Sequence, residues 1–190
     1  MNGNGHIPVL LNEVMDFLNV MRKGIYIDCT IGLGGHAKEI LTRNPDAYLI
    51  GFDLDEKSLL KAEETLSPYT DRVELYHSDF RYLPDLNLEF SKIKGIMIDL
   101  GISSFQLDDQ KRGFSYNREG PLDMRMDLRN KHNATKIINK YSEHKLAQIF
   151  RENGEFRQAR KLAKKIVSIR KTKKIETTLQ LFEAINDVCR

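Results

Sequence analysis

Carboxylates end several of the short apolar segments in the first half of this chain, and their spacing indicates nucleotide chemistry. Asp53 ends the apolar segment 48–53 and follows Gly34 by 19 residues. A carboxylate at that distance from a glycine-rich turn is suited to accept hydrogen bonds from the two ribose hydroxyls of an adenosine. Asp79 and Phe80 follow another apolar segment, where a carboxylate or main-chain group could contact an adenine amine while the ring packs against the base.

The glycine-rich turn comes after the first apolar segment and reads Gly32-Leu33-Gly34-Gly35-His36-Ala37. It fits the loose pattern G-x-G-x-x-A, in which glycines allow a tight turn and the close approach of a ligand to the main chain. No G-K-[ST] follows, so the turn is not a Walker-type phosphate loop. Such a turn alone is often structural, and a lone phenylalanine is more typical of a core. Suitable groups after four successive segments together favour an adenosine-containing cofactor.

Two further carboxylates distinguish between cofactors. Asp28 precedes the glycine turn, and Asp99 ends a fourth apolar segment. In an NAD site these carboxylates would lie where the pyrophosphate binds, which opposes that cofactor. S-adenosylmethionine (SAM) instead carries an ammonium and a sulfonium, which carboxylates stabilise. The residues therefore favour SAM, with an NAD-dependent oxidoreductase as the alternative.

Hydrophobic patterning places these residues at the ends of strands. We predict strands at residues 25–30, 48–53, 73–76 and 93–100, with helices at 8–20, 37–42 and 56–66. Strands that alternate with helices and are apolar on both faces are typical of a parallel sheet covered on both sides. The predicted class is α/β, one half of a doubly wound sheet. In such sheets ligands bind beyond the carboxyl ends of the strands.

The second half of the chain has a different pattern. Residues 101–133 read as a loop, and helices are predicted at 134–141, 143–152, 155–171 and 177–189, with Ser142 and Thr177 as N-caps of two of them. We therefore predict an α/β cofactor domain over residues 1–105 and a loop with a helical domain over 106–190.

Charge separates the two ends of the chain. Residues 1–150 hold 19 Lys and Arg against 22 Asp and Glu, whereas residues 151–190 hold 11 against 5. A basic helical end is suited to a polyanion, although a solvated surface has the same composition. The candidate contacts are Lys161, Lys164, Lys165, Arg170, Lys171, Lys173 and Lys174.

Other features limit location and cofactor type. Apolar runs are too short to span a membrane, and the first residues lack the pattern of a signal peptide. Cys29 and Cys189 are expected to be reduced thiols of a cytoplasmic protein. Histidines and cysteines show no metal-ligand spacing, so no metal site is expected.

Longer motifs resemble one protein family. The chain is similar to the 16S rRNA (cytosine-N4)-methyltransferases, the ribosomal small-subunit methyltransferase H family. The resemblance covers nearly the whole chain in family order, and its most specific stretch is residues 120–127, Gly-Pro-Leu-Asp-Met-Arg-Met-Asp. The other matching stretches are 6–14, 26–30, 34–36, 53–55, 99–108, 112–115, 154–160 and 177–181.

This resemblance implies a fold, a cofactor and a substrate. The fold would be a Rossmann-like class I SAM-dependent methyltransferase core with an inserted α-helical domain. The substrate would be the exocyclic N4 of a cytidine in the decoding region of 16S rRNA, presented on an assembled 30S subunit. The residues that match the family's SAM contacts are Gly34, Gly35, His36, Asp53, Phe80, Asp99 and Gln106.

The chain departs from the family pattern in two places. Phe156 stands where the family usually has a glutamate, and Gln158 where it usually has a phenylalanine. Family members also continue beyond Arg190 with further strands, so this chain is expected to carry strands one to four and the inserted helices. The alternative to an active enzyme is therefore a form that binds SAM or rRNA without turnover.

Two residues have open roles. By analogy with other amino-methyltransferases, Asp99 is the candidate acceptor for the cytosine amine, and the alternative is that it only holds SAM. Arg125 lies between Asp123 and Asp127, so it could bind a phosphate or lock its own loop through carboxylate pairs.

Overall fold

The computed structural model describes residues 8–189, so the first two residues of the motif at 6–14 lie outside the described part. The chain divides into two compact units, the first ending at Gly101 and the second beginning at Ile102. The elements of the first unit are α1 (Leu11–Leu18), β1 (Gly24–Asp28), α2 (Gly35–Arg43), β2 (Ala47–Asp53), α3 (Glu56–Leu66), β3 (Val73–His77) and β4 (Ile93–Met97).

The strands of the first unit form one parallel sheet in the order β3-β2-β1-β4. Asp28 pairs with Gly51 on one side and Met97 on the other, and Asp53 pairs with His77. The predicted α/β class with a parallel sheet is confirmed. All four strands therefore present their carboxyl ends at one edge, which we call the carboxyl edge.

Each face of the sheet has its own core. On one face, Tyr26 and Leu49 are fully buried with side chains of α2 and α3 such as Ile40 and Ala62. On the other face, Ile27 and Phe52 are buried under a short 3-10 segment, Phe80–Leu86. Because alternate residues of a strand point to opposite faces, near-continuous apolar strands supply both cores.

The predicted end of the fourth strand is wrong. β4 ends at Met97, not at residue 100, because its partner β1 ends at Asp28 and ladder hydrogen bonds need both strands. β4 is also the edge of the sheet formed by the described residues, and its apolar side chains are not fully covered. Ile96 of β4 and Ile98, just beyond the strand, are each about half exposed.

The second unit is helical. It contains α4 (Ser104–Asp108), α5 (Ala134–Lys140), α6 (Glu143–Glu152), α7 (Ala159–Ile169) and α8 (Thr178–Cys189). Its core is formed by side chains from several of these helices, including the fully buried Leu146 and Ile166, together with Leu122 from the preceding loop. No helix within residues 8–189 combines the length and apolar character needed to cross a membrane.

The structure confirms one of three predictions for this unit and corrects the other two. Ser142 and Thr177 are N-caps as predicted, since their hydroxyls accept from the main-chain N–H groups of Lys145 and Gln180. The helix predicted from residue 155 begins at Ala159, because Glu155 has a left-handed φ of 48°. The predicted loop 101–133 contains α4, which a capping box starts. The predicted boundary at 105/106 stays a prediction.

Candidate cofactor and active site

The carboxyl edge of the first unit collects the acidic residues that the sequence singled out. Asp28 and Asp53 are the last residues of β1 and β2, and Asp99 lies two residues beyond β4. Asp53 and Asp99 are both close enough to raise the pKa of Asp28 through charge repulsion. The carboxyl edge therefore holds three acidic side chains whose ionised forms a cationic ligand would stabilise.

Asp53 connects β2 to the glycine turn. Its Oδ2 accepts the main-chain N–H of Gly32 at 2.8 Å, and its Oδ1 accepts that of Asp55 at 2.9 Å. Burial raises the pKa of Asp53 from its ordinary value, while these N–H donors oppose the shift. Each carboxylate oxygen has a second lone pair, so Asp53 can still accept from two hydroxyls of a ligand.

Asp28 is the most deeply buried of these acids, at 1% exposure. Burial raises its pKa from 3.8 to about 7, the N–H of Thr30 opposes this, and the charges of Asp53 and Asp99 add to it. The donor lies 3.1 Å from Asp28 Oδ1. Since a positive charge nearby favours the ionised form, a cationic ligand at this edge would lower this pKa.

Asp99 is exposed, and its main chain is hydrogen-bonded to a residue that follows the neighbouring strand β1. Its N–H donates to Oγ1 of Thr30 at 2.7 Å, a contact between residues 69 positions apart. Thr30 itself directly follows the strand pairing that ends with the Cys29 N–H donating to the Met97 carbonyl at 2.9 Å. Sequence reasoning did not single out Thr30, because nothing in its local pattern signals a contact with β4.

The glycine turn leads into α2 as predicted. Gly34 is the N-cap of α2 with a left-handed φ of 81°, a conformation that glycine adopts without steric cost. Gly35 lies against Pro8, whose Cγ would be 2.5 Å from an added Cβ. The His36 ring packs beside the same segment, with Nε2 and the Val9 carbonyl oxygen 3.1 Å apart. Gly34, Gly35 and His36 therefore form the N-cap and first turn of α2 at the carboxyl edge.

In the segment after β3, Asp79 and Phe80 lie at the predicted strand end, and both make contacts within the protein. Asp79 caps the 3-10 segment by accepting from the main-chain N–H of Arg81, and its carboxylate also pairs with the Arg81 guanidinium at 2.9 Å. Phe80 is partly buried and packs on the core that contains Phe52 and Ile27. The structure thus gives Phe80 the core contacts that are the ordinary role of a phenylalanine, at the end of the strand next to Asp53.

Gln106 belongs to the second unit. Its side chain closes the capping box of α4, with Oε1 accepting the Ser103 N–H at 3.0 Å and its own N–H donating to Ser103 Oγ at 3.2 Å. Gln106 is 6% exposed. The other six predicted contacts, Gly34, Gly35, His36, Asp53, Phe80 and Asp99, all lie in the first unit at the carboxyl ends of its strands.

Arg125 locks its own loop. Its guanidinium makes a two-point contact with Asp123, with both N–O distances 2.7 Å, and donates to the carbonyls of Leu128 and Asn130. This pairing lowers the pKa of Asp123. Four of the five guanidinium N–H groups are thus directed to the loop, which favours the loop-locking alternative over phosphate binding.

The seven basic residues predicted to contact a polyanion separate into two groups. Arg170 donates to the carbonyls of Ile138 and Tyr141 at the end of α5, and Lys165 pairs with Asp187 at 2.8 Å. Lys161 donates to the Val188 carbonyl. Among the seven predicted contacts, the exposed lysines for which we find neither an ion pair nor a side-chain hydrogen bond within residues 8–189 are Lys164, Lys171, Lys173 and Lys174. These four are the better candidates for contact with a polyanion.

Within residues 8–189 we find no cluster of three or more His, Cys, Asp or Glu side chains suited to a metal ion. The carboxyl edge can accept hydrogen bonds at Asp53 and stabilise positive charge through Asp28 and Asp99. Its glycine turn brings the main chain to the surface. An adenosine that carries a cationic group fits this set of donors and acceptors.

Comparison with known proteins gives a family. The model of the MraW methylase family matches residues 3–190. Two curated relatives, from Symbiobacterium thermophilum and Clostridioides difficile, are named ribosomal RNA small subunit methyltransferase H. They are 46% and 44% identical to this chain over 183 residues, which is 95% of its length in each case.

The chain is shorter than these relatives and spans 58% and 59% of their lengths. A solved methyltransferase structure from Streptococcus mutans, described as a complex with SAH, aligns with 52% of this chain and 55% of its own chain. The sequence identity in that alignment is 26% and the TM-score is 0.43.

Proposed function

The chain belongs to the MraW methylase family, and from that membership we propose that it is a SAM-dependent methyltransferase. The observation that carries this proposal is the family match over nearly the whole chain, together with three carboxylates at the carboxyl edge of its parallel sheet. Family membership also favours SAM over the NAD alternative, which Asp28 and Asp99 oppose because they would lie where a pyrophosphate binds.

The residues of the carboxyl edge fit the cofactor. Asp53 would accept from the ribose hydroxyls, since its oxygens keep free lone pairs beside the N–H groups of Gly32 and Asp55. Gly34, Gly35 and His36 would contact it at the start of α2, and Phe80 would contact it after β3. Gln106, in the second unit, stays a contact predicted from the family resemblance. When bound, SAM supplies the methyl group that is transferred. Asp28, the last residue of β1, would stabilise its positive charge.

For the substrate we propose the N4 amine of a cytidine in the decoding region of small-subunit rRNA. The curated relatives are named for small-subunit rRNA, and the motif at 120–127 resembles the cytosine-N4 family. We propose the assembled 30S subunit as the form that is bound, with the exposed lysines of the second unit on the rRNA backbone. This partner would place the protein in the cytoplasm.

Asp99 is the proposed acceptor for the amine. The N4 lone pair is delocalised into the cytosine ring, so the amine is a poor nucleophile without assistance. A carboxylate that accepts a hydrogen bond from N4 orients the amine and can take the proton that N4 loses. The exposure of Asp99 and its fixed main chain suit this role. Positioning supplies the remaining rate, because the amine and the methyl group must be in line.

A second candidate function is a form that holds SAM or rRNA without turnover. The two functions differ in product. Incubation with SAM and unmodified small subunits, followed by nucleoside mass spectrometry of the rRNA, tests the enzyme proposal. A new N4-methylcytidine supports it, whereas SAM binding without that nucleoside supports the binding form.

A further inference from the structure

Thr30 contacts two of the three acids of the proposed site, Asp28 and Asp99. It directly follows Cys29 at the carboxyl end of β1 and precedes the glycine turn. Its main-chain N–H donates to Asp28 Oδ1 at 3.1 Å, and its Oγ1 accepts the main-chain N–H of Asp99 at 2.7 Å. Thr30 therefore joins the buried acid of β1 to the exposed acid beyond β4.

The contact with Asp99 extends the sheet beyond the last residue of β4. The main-chain ladder between the two strands ends with the Cys29 N–H donating to the Met97 carbonyl. The segment that follows has little packing, since Ile98 is 50% and Leu100 76% exposed. A hydrogen bond from a side chain thus holds Asp99 where packing does not.

We propose that Thr30 is a positioning residue for methyl transfer, because its hydroxyl fixes the main chain of Asp99 at the carboxyl edge. This inference rests on the proposed function. Thr30 acts through Asp99 and need not touch the substrate. Its own geometry is restricted on two sides. Branching at Cβ limits its side-chain rotamers, and the Asp28 carboxylate holds its main chain.

Two substitutions separate the hydroxyl from the shape of the side chain. Thr30→Val keeps the branched shape and removes the acceptor, whereas Thr30→Ser keeps the hydroxyl. Thr65→Val is the matched control, because it removes a threonine hydroxyl that bonds the Lys61 carbonyl on the exposed surface of α3. The free energies of unfolding of all variants are compared by urea denaturation before the rates are interpreted.

Single-turnover methyl transfer to unmodified small subunits at saturating SAM measures the effect. Thr30→Val should be slower by about three- to tenfold, the loss expected for one neutral hydrogen bond. Thr30→Ser should recover most of that rate, and Thr65→Val should equal the unmodified chain. A rate for Thr30→Val equal to that of the unmodified chain would overturn the inference.

Asp99→Asn provides a second comparison, since a residue that acts through Asp99 has no further effect once that carboxylate is gone. The double variant Thr30→Val/Asp99→Asn should be no slower than Asp99→Asn alone. An additional loss in the double variant, of the same size as in Thr30→Val alone, would show that Thr30 acts independently of Asp99 and would contradict the proposal.

Hydrogen exchange at the Asp99 amide, measured by ¹⁵N NMR on the full chain, needs no activity. We expect slow exchange in the unmodified chain and in Thr30→Ser, and faster exchange in Thr30→Val. Unchanged exchange in Thr30→Val would overturn the inference and leave the proposed function intact. If the variants show the expected exchange pattern but the chain binds SAM and transfers no methyl group, the proposed function is refuted, and the positioning role with it.

Discussion

The main-chain N–H of Gly32 donates to Oδ2 of Asp53 across 2.8 Å, which joins the glycine turn after β1 to the end of β2. The other oxygen of the same carboxylate accepts from Asp55, the N-cap of α3. A single side chain therefore sets the relative positions of the turn, the second strand and the third helix. Anything that binds the free lone pairs of Asp53 contacts a group that is already fixed.

Asp53→Ala should weaken SAM binding by about a hundredfold or more, since it removes a charged acceptor of two hydrogen bonds that are each worth about 1.5–3 kcal/mol. Isothermal titration with SAM measures the dissociation constant. Asp85→Ala is the matched control, because Asp85 is exposed and lies in the same unit away from the strand ends. Equal affinities of the two variants would remove Asp53 from the cofactor site.

Gly34→Ala should lower the free energy of unfolding by about 1–3 kcal/mol, the usual cost of a non-glycine residue held in a strained main-chain conformation. The φ of Gly34 is 81°, and an added Cβ would lie 3.3 Å from the Leu66 side chain. Gly101→Ala adds the same methyl group where no heavy atom lies within 4 Å. Urea denaturation should show a loss for the first variant and little change for the second, and equal losses would contradict the geometry of the turn.

Asp28 should make stability depend on pH between about 4 and 7. Its pKa in the folded protein is about 7 against an ordinary value of 3.8, so in this range the folded state binds more protons than the unfolded state. Rising pH therefore lowers the free energy of unfolding, by at most about 1.4 kcal/mol per pH unit. Above about pH 7 both states are ionised and this dependence ends.

The check is urea denaturation of the unmodified chain and of Asp28→Asn at several pH values across that range. The asparagine oxygen can still accept the Thr30 N–H but does not titrate. The variant should therefore gain stability relative to the unmodified chain as the pH rises. Parallel pH profiles for the two proteins would show that Asp28 ionises normally.

The four exposed lysines between residues 164 and 174 should carry a salt-dependent share of rRNA binding. Replacement by alanine of Lys164, Lys171, Lys173 and Lys174 should weaken binding to small subunits and flatten its dependence on salt, by about 0.7–0.9 in the slope of log K for each lost phosphate contact. Binding is measured by filter retention at several salt concentrations. A variant of the first unit that loses equal charge is the control, with alanine at Lys23, Lys38, Lys57 and Lys61. If both variants bind alike, net charge and not position decides affinity.

The sequence predicts the parallel sheet because strand-length apolar segments alternate with helical ones, and helix α3 has the predicted bounds, Glu56–Leu66. It does not predict where strand pairing stops, since the end of β4 depends on its partner β1. Glu155 shows the same limit for helices, because its left-handed main chain belongs to the turn after α6 in which the Phe156 N–H donates to the Phe150 carbonyl.

The candidate site was also only partly predictable, because spacing locates residues at strand ends but does not show contacts between distant residues. Carboxylates and glycines at strand ends can be located by spacing, so Asp53, Asp99 and Gly34 fall at the predicted edge. The contact of Thr30 with Asp99 joins residues far apart in sequence and leaves no local pattern. The choice between phosphate binding and loop locking at Arg125 likewise depends on loop geometry, which composition does not encode.

Methyl transfer tests the central claim most directly. Labelled SAM is incubated with this chain and small ribosomal subunits that lack the modification, beside Asp53→Ala at a SAM concentration that saturates only the unmodified chain. We predict label at a single cytidine in the rRNA with the unmodified chain and its loss with the variant. No label from the unmodified chain, despite measured SAM binding, would contradict the proposal that this chain is an active methyltransferase.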